Sequence, residues 1–241
     1  LLLRRGIVPS LLSLLLATLG PALVVDPLSW PNYSLSAAVT LFVSAWVIFM
    51  TMEDVFLKSN GKWSTLKRLT GSYWGMVIAH IGLAVCALGI GISSSYDEQR
   101  DLRMVPGDVA QMSTYEFTFN GVERVDGPNF IAYRADISVK GMSGERLAMF
   151  PEKRNYKAGG QVMTEAAIDA RLDRDLYVSL GEPLQGDAWA MRFQVKPLVR
   201  CIWLGSLLIA IGGLLAAFDK RYRRHKKVVK DSSRRVKLAY E

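Results

Sequence analysis

The chain has 241 residues, half of them hydrophobic, and a formal net charge of +8. Its apolar residues are gathered into blocks near the ~20-residue length that crosses a bilayer, which excludes a single soluble domain with a dispersed core. The charge is just as localised. Residues 219–241 hold ten Lys/Arg against three acids, whereas residues 95–198 hold 13 basic and 16 acidic side chains. A basic run beside a membrane span indicates topology or anionic lipid and argues against nucleic acid as the partner.

In chain order, four apolar blocks each predict a transmembrane helix: Ile7–Val25, Tyr33–Thr51, Trp74–Ser94 and Val199–Phe218. None carries Lys, Arg, Asp or Glu in its middle, and Gly20-Pro21 kinks or ends the first. The stretch Leu1–Arg5 reads as the approach to a helix without a signal-peptide layout, so the expectation is an internal or C-terminal piece of a longer protein. Arg4 and Arg5 precede the first block, the link 26–32 has no Lys or Arg, and the link 52–73 carries Lys58, Lys62, Lys67 and Arg68. Basic and non-basic connections alternate. The loop 52–73 and tail 219–241 are therefore expected on the cytoplasmic side of a bacterial inner membrane, and residues 95–198 in the periplasm. Trp30, Trp46, Trp74 and Trp203, in or beside the blocks, fit an interfacial belt.

Residues 95–198 read as mainly antiparallel β structure. The segments 114–122 (TYEFTFNGV), 130–140 (FIAYRADISVK) and 188–196 (AWAMRFQVK) alternate apolar and polar positions, and 176–180 is a fourth short strand. Asn120-Gly121, Asp126-Gly127-Pro128 and Gly141 to Gly144 supply turns. About 100 residues of this kind predict a small antiparallel sheet or partly open barrel.

Chemistry has few places to reside. The β region contains neither histidine nor cysteine, so it holds no nucleophile–histidine set and no His/Cys metal site. Asp173 and Asp175, with Arg171 and Arg174, read as a solvated charge cluster, and Met104, Met112, Met142, Met149 and Met163 as packing or surface residues. Cys86 and Cys201 lie in or at the edge of apolar blocks without a CxxC pairing, as small buried hydrophobes do. His225 sits among cations in the tail. His80 is the exception: six residues past Trp74, it falls roughly 9 Å into the membrane. An imidazole there is costly unless its nitrogens are satisfied. Neutral imidazole suits haem iron, and Ala79, Gly82, Ala84, Ala87 and Gly89 keep the helix narrow enough for a macrocycle to approach. The pattern alone leaves open a second role, a hydrogen bond to a neighbouring helix.

The run GSYWGMVIAHIGLAVCALGIGISSSY at 71–96 resembles a late membrane segment of the CcmF family of cytochrome c haem lyases. PEKRNY (151–156), MTEAAID (163–169), RDLYVSLGEPL (174–184) and KPLVRCIWLGSLLIAIGG (196–213) follow in the same order, so the resemblance covers nearly the whole chain and corresponds to the family's C-terminal third. It implies a membrane haem lyase that helps attach substrate haem to the CxxCH cysteines of an apocytochrome c. The implied partners are the remainder of the lyase, a periplasmic haem chaperone, thiol-handling and apocytochrome-binding maturation subunits, and quinol as a source of electrons. By the same resemblance His80 is an axial ligand of an intramembrane b haem, with the second ligand outside this chain. The family's tryptophan-rich segment, its external haem-ligating histidines and its other membrane histidine have no counterpart here, so this stretch alone is not expected to catalyse ligation. PEKRNY and MTEAAID are expected at a docking surface or as structural turns and core. Two other readings are a non-catalytic membrane scaffold and a b-haem electron-transfer subunit.

Overall fold

The computed structural model describes residues 34–59, 62–141 and 144–219. The expected first span, Trp30, Met142 and His225 lie outside the described residues. Contacts divide the chain into two compact units, Ile92–Arg200 and the helical remainder.

In the helical unit, α1 spans Leu35–Ser59, a short α2 spans Trp63–Leu66, α3 spans Gly71–Tyr96 and α4 spans Val199–Ala217. The three longer helices are long and apolar enough to cross a membrane. α1 runs about two turns beyond the apolar block that ends at Thr51, because Glu53 and Asp54 do not interrupt a helix and Lys58 bonds Asp54 one turn back at 2.9 Å. The first turn of α3 is capped from a distance: the Ser72 amide donates to the Asp219 carboxylate at 2.7 Å, satisfying one of the orphan N–H groups every helix start presents.

Small residues set how these helices pack. Gly75, Gly82 and Gly89 are buried at seven-residue intervals along α3, and Gly205 and Gly212 are the buried residues of α4. A Cβ placed on Gly75 would lie 2.5 Å from the Gly212 carbonyl oxygen, and one on Gly82 2.8 Å from that of Gly205. Backbone therefore rests on backbone along this antiparallel seam. Val77, Ala84 and Gly91 form a second buried row, two residues later in sequence and hence about 200° around the helix. Thr40 of α1 lies against Gly91, and at the other end Tyr73 donates its hydroxyl to Asp54 at 2.9 Å. α3 is thus held from two nearly opposite sides.

The other unit is a β-sandwich rather than an open sheet or barrel. Ten strands, β1 (Glu98–Met104), β2 (Val109–Met112), β3 (Tyr115–Asp126), β4 (Phe130–Gly141), β5 (Arg146–Met149), β6 (Glu152–Tyr156), β7 (Val162–Glu165), β8 (Ala167–Ala170), β9 (Arg174–Pro183) and β10 (Trp189–Pro197), form two sheets. One has the order β1-β10-β9-β8. The other has β2-β3-β4-β6-β7, with β5 also paired to β4. Alternation drives the layering: in β9, positions 174, 176, 178 and 180 are buried while 175, 177 and 179 are partly open. The inner faces meet through Phe117 and Phe193, whose ring centroids are 5.1 Å apart, with Phe119, Ile137, Leu176 and Leu180 fully buried around them. A register shift between Phe119 and Gly121 bends β3, and Gly121 takes the left-handed φ of +142° that this requires.

Two sequence motifs acquire structural roles here. MTEAAID runs from β7 to β8 and so carries the chain from one sheet to the other. PEKRNY is β6. Its Glu152 is buried between Arg134 at 2.6 Å and Arg154 at 2.8 Å, and Arg154 stacks over Phe130 at 4.7 Å.

Candidate functional site

His80 lies in the first half of α3, on the strip that neither seam covers. It comes five residues after Gly75 and so about 140° around the helix from the glycine seam. Met76, His80, Leu83, Ile90 and Ser94 are all exposed on this strip. Its imidazole Nδ1 is 2.8 Å from the Met76 carbonyl oxygen. A carbonyl only accepts, so Nδ1 carries the proton and Nε2 keeps its lone pair. The helix itself therefore sets the tautomer. This is the arrangement in which a metal-ligating histidine is oriented by an outer partner. The donor set fits haem iron on one axial side, a neutral imidazole held by its own backbone and facing open space. The sequence places a histidine in an apolar span. The i–4 bond to Met76 was readable only as helical spacing, and the open strip not at all.

The other residues singled out in the sequence are not gathered around His80. Among the described residues, no group of three or more His, Cys, Asp or Glu is arranged to hold a metal. Cys86 and Cys201 are free thiols beside the glycine seam, Cys86 Sγ lying 3.8 Å from Ser206 Oγ. Trp46 and Trp203 are exposed on their helices, and Trp74 packs edge-on to Tyr73 at 6.2 Å. In the sandwich Met104, Met112 and Met149 are core, whereas Met163 is exposed.

The charge cluster is only half solvated: Arg171 and Asp173 are exposed, Asp175 is partly covered and Arg174 is buried. Arg174 is only 5% exposed. It donates to the Tyr115 hydroxyl at 2.9 Å and the Asp169 carbonyl at 3.0 Å, and pairs with the carboxylates of Asp169 and Glu145. Burial disfavours its charge, but the bonds to Asp169 and Tyr115 outweigh that and raise its pKa. Asp175 pairs with Arg200 at 3.2 Å. The missed signal is that Tyr115 and Glu145 lie far away in sequence. Glu152 is balanced in the same way: burial alone would raise its pKa, yet bonds from Arg154 and Arg134 hold it below the usual carboxylate value. These networks tie strands together by pairing their acids and bases with one another. A depression of about 560 Å³ on the sandwich lies over Gly181 and Ala190, and its flanking Asp101 and Arg192 are bound to each other at 2.7 and 2.9 Å.

Apolar helices of membrane-spanning length and an antiparallel β-sandwich, with one histidine in the described part of those helices, define the class: a membrane protein with a β-sandwich domain. The family described as CcmF C-terminal β-sandwich matches residues 95–197. The cytochrome c-type biogenesis protein CcmF of Pseudomonas fluorescens is 46% identical over 202 residues, covering 83% of this chain and 31% of that protein. Its counterpart in Escherichia coli (strain K12) is 43% identical over 200 residues, covering 82% and 30%. A solved structure, "Cytochrome c Heme Lyase CcmF", superposes with a TM-score of 0.70 at 20% identity, covering 89% of this chain and 34% of that one, an agreement of fold. This chain belongs to the CcmF family and corresponds to its C-terminal region. It spans about a third of the length of the curated relatives it matches.

Proposed function

We propose that the chain is the C-terminal part of a membrane haem lyase, and that His80 Nε2 supplies one axial ligand to an intramembrane b haem. The observation that carries this is the single imidazole on the uncovered strip of α3, its Nδ1–H committed to Met76 and its other nitrogen free. Bound haem would supply reversible one-electron chemistry, and this chain would orient it through His80. One nitrogen makes one axial bond, so the second ligand comes from elsewhere in the intact lyase. Covalent attachment of substrate haem to CxxCH cysteines would be the work of that whole assembly, with a periplasmic haem chaperone, thiol-handling subunits and the apocytochrome, and with quinol as electron donor. The sandwich, internally paired as it is, would dock partners or shape the haem cavity rather than carry out a reaction. The alternation of basic and non-basic loops supports an inner-membrane topology with the sandwich periplasmic and the basic tail cytoplasmic.

The test is an optical spectrum of the full-length protein in its membrane assembly, with and without His80→Ala, alongside the yield of covalent c-type cytochrome. The low-spin b-type signal should be lost or converted to high spin, and cytochrome maturation should fall with it. A signal that survives the substitution unchanged removes His80 from the site and favours a scaffold. Loss of the signal with normal maturation favours an electron-transfer subunit.

A further inference from the structure

The depression over Gly181 and Ala190 holds about 560 Å³, a volume in the range of small-molecule sites. It lies on the outer face of the sheet β1-β10-β9-β8, and a bulge makes its floor. Between the pairing of Trp189 with Pro183 and that of Met191 with Leu180, β9 sets two residues, Gly181 and Glu182, against the single Ala190 of β10. A Cβ on Gly181 would lie 2.9 Å from the Ala190 carbonyl oxygen, so glycine is what lets the strands close here. Glycine and alanine keep the floor low and apolar, and Leu184, 40% exposed, adds an apolar wall.

The polar groups around this floor are left unused by the fold. Among the described residues, the hydroxyls of Thr164, Tyr177 and Ser179, all lining the depression, have no hydrogen-bond partner. The lining has one carboxylate, Asp101, and Arg192 grips both of its oxygens at 2.7 and 2.9 Å. Arg103 is different. Its guanidinium donates to the Gln185 carbonyl at 3.3 Å, which steadies it at the rim, and it meets no carboxylate. The other arginines of the described sandwich are ion-paired, apart from Arg146, which does not line the depression. The site therefore carries one unneutralised positive charge beside an apolar floor.

We infer that this depression binds an apolar molecule ending in a carboxylate. The apolar body lies over Gly181, Ala190 and Leu184, the carboxylate takes the Arg103 fork, and the free hydroxyls serve its remaining lone pairs. One free guanidinium balances one negative charge. A phosphate dianion would need a second, and Arg192 is already committed to Asp101. A tetrapyrrole propionate and a fatty acid share the required chemistry. The inference stands on the sandwich alone and is independent of any haem at His80.

The experiment uses the full chain in lipid nanodiscs, with empty nanodiscs as the blank. The probe is trifluoromethyl-phenylpropionate, read by fluorine NMR relaxation and compared with its amide and its phosphonate analogue. The carboxylate should bind saturably above the blank and about tenfold or more tighter than the neutral amide. The phosphonate dianion should gain nothing over it. Arg103 is exposed, so Arg103→Gln leaves the fold intact and should erase the preference for the carboxylate. Arg124→Gln, at an exposed arginine paired with Asp126, should keep it. Ser179→Phe, which fills the depression, should abolish binding. Displacement of the probe by tin mesoporphyrin identifies a tetrapyrrole propionate as the source, and displacement by decanoate alone a fatty acid. Three results overturn the proposal: no binding above the blank, an amide that binds as well as the carboxylate, or an Arg103→Gln chain that keeps the preference. His80→Ala should leave all of these readings unchanged, so a failure of haem ligation is told apart from a failure here.

Discussion

Gly212 and Gly213 are neighbours on α4, and replacing each by alanine should give opposite results. A Cβ on Gly212 meets the Gly75 oxygen at 2.5 Å, the Ala79 amide nitrogen at 2.7 Å and the Ala79 Cβ at 2.9 Å, whereas a Cβ on Gly213 meets nothing within 4 Å. Ordinary contact begins near 3.4 Å, so Gly212→Ala must part α3 and α4 by about 0.9 Å. Gaps of that size forfeit a quarter to a half of the dispersion attraction along the seam. Overpacking of this kind costs about 1–3 kcal/mol, against a gain of up to about 1 kcal/mol from alanine's helix propensity. The net loss, about 1–2 kcal/mol, is about a 5–30-fold shift in an opening equilibrium. Gly213→Ala keeps only the gain. Cys86 and Cys201 flank the same seam, so the rate of their alkylation by a maleimide in lipid nanodiscs reports its opening. Gly212→Ala should accelerate alkylation within that range and Gly213→Ala should not. Equal rates in the two variants would refute backbone-on-backbone packing here.

Arg174→Met should destabilise the sandwich by roughly 3 kcal/mol, because it strands Asp169 and Glu145 beside a half-apolar site; Arg171→Met, on an exposed arginine, should cost under about 1 kcal/mol. Denaturant melts of the intact chain compare the two, and similar losses would contradict the burial contrast. Glu152 titrates below its ordinary value when folded, so the unfolded chain takes up the proton first. The stabilisation is complete above the unfolded pKa of about 4.3 and is lost as pH falls through the lower folded value. The fall in melting temperature between about pH 5 and pH 3 should therefore be smaller in Glu152→Gln, with Asp101, also held low by Arg192, keeping part of the slope.

The strands with sustained alternation were legible in the sequence: β3, β4, β9 and β10 lie where period-two patterning puts them. β1 was not, because EQRDLRM is dominated by charges on its open face and turns only Leu102 and Met104 inward. β5, β7 and β8 have four residues each, too few for a period to declare itself. A sandwich cannot be told from an open sheet locally, since closure depends on which strand crosses between layers, here the β7–β8 passage. The buried Arg174 was hidden for a related reason. Its neighbours in sequence are charges, and the groups that bury it, Tyr115 and Glu145, arrive from other strands. His80 stood out by its type in an apolar run, but its bearing did not, because that is decided by which sides of α3 the other helices occupy.

That bearing has a consequence for how defects in this protein should be interpreted. The direction in which the imidazole points is governed by glycines on another side of the helix, about half a turn to two and a half turns away along it. A methyl group added to Gly75 or Gly82 would swing the ring off its aim, and under the proposed haem ligation the damage would present as a failure at His80. Variants that silence such a centre thus need not mark its lining; some will report only that a shaft has turned in its bearings.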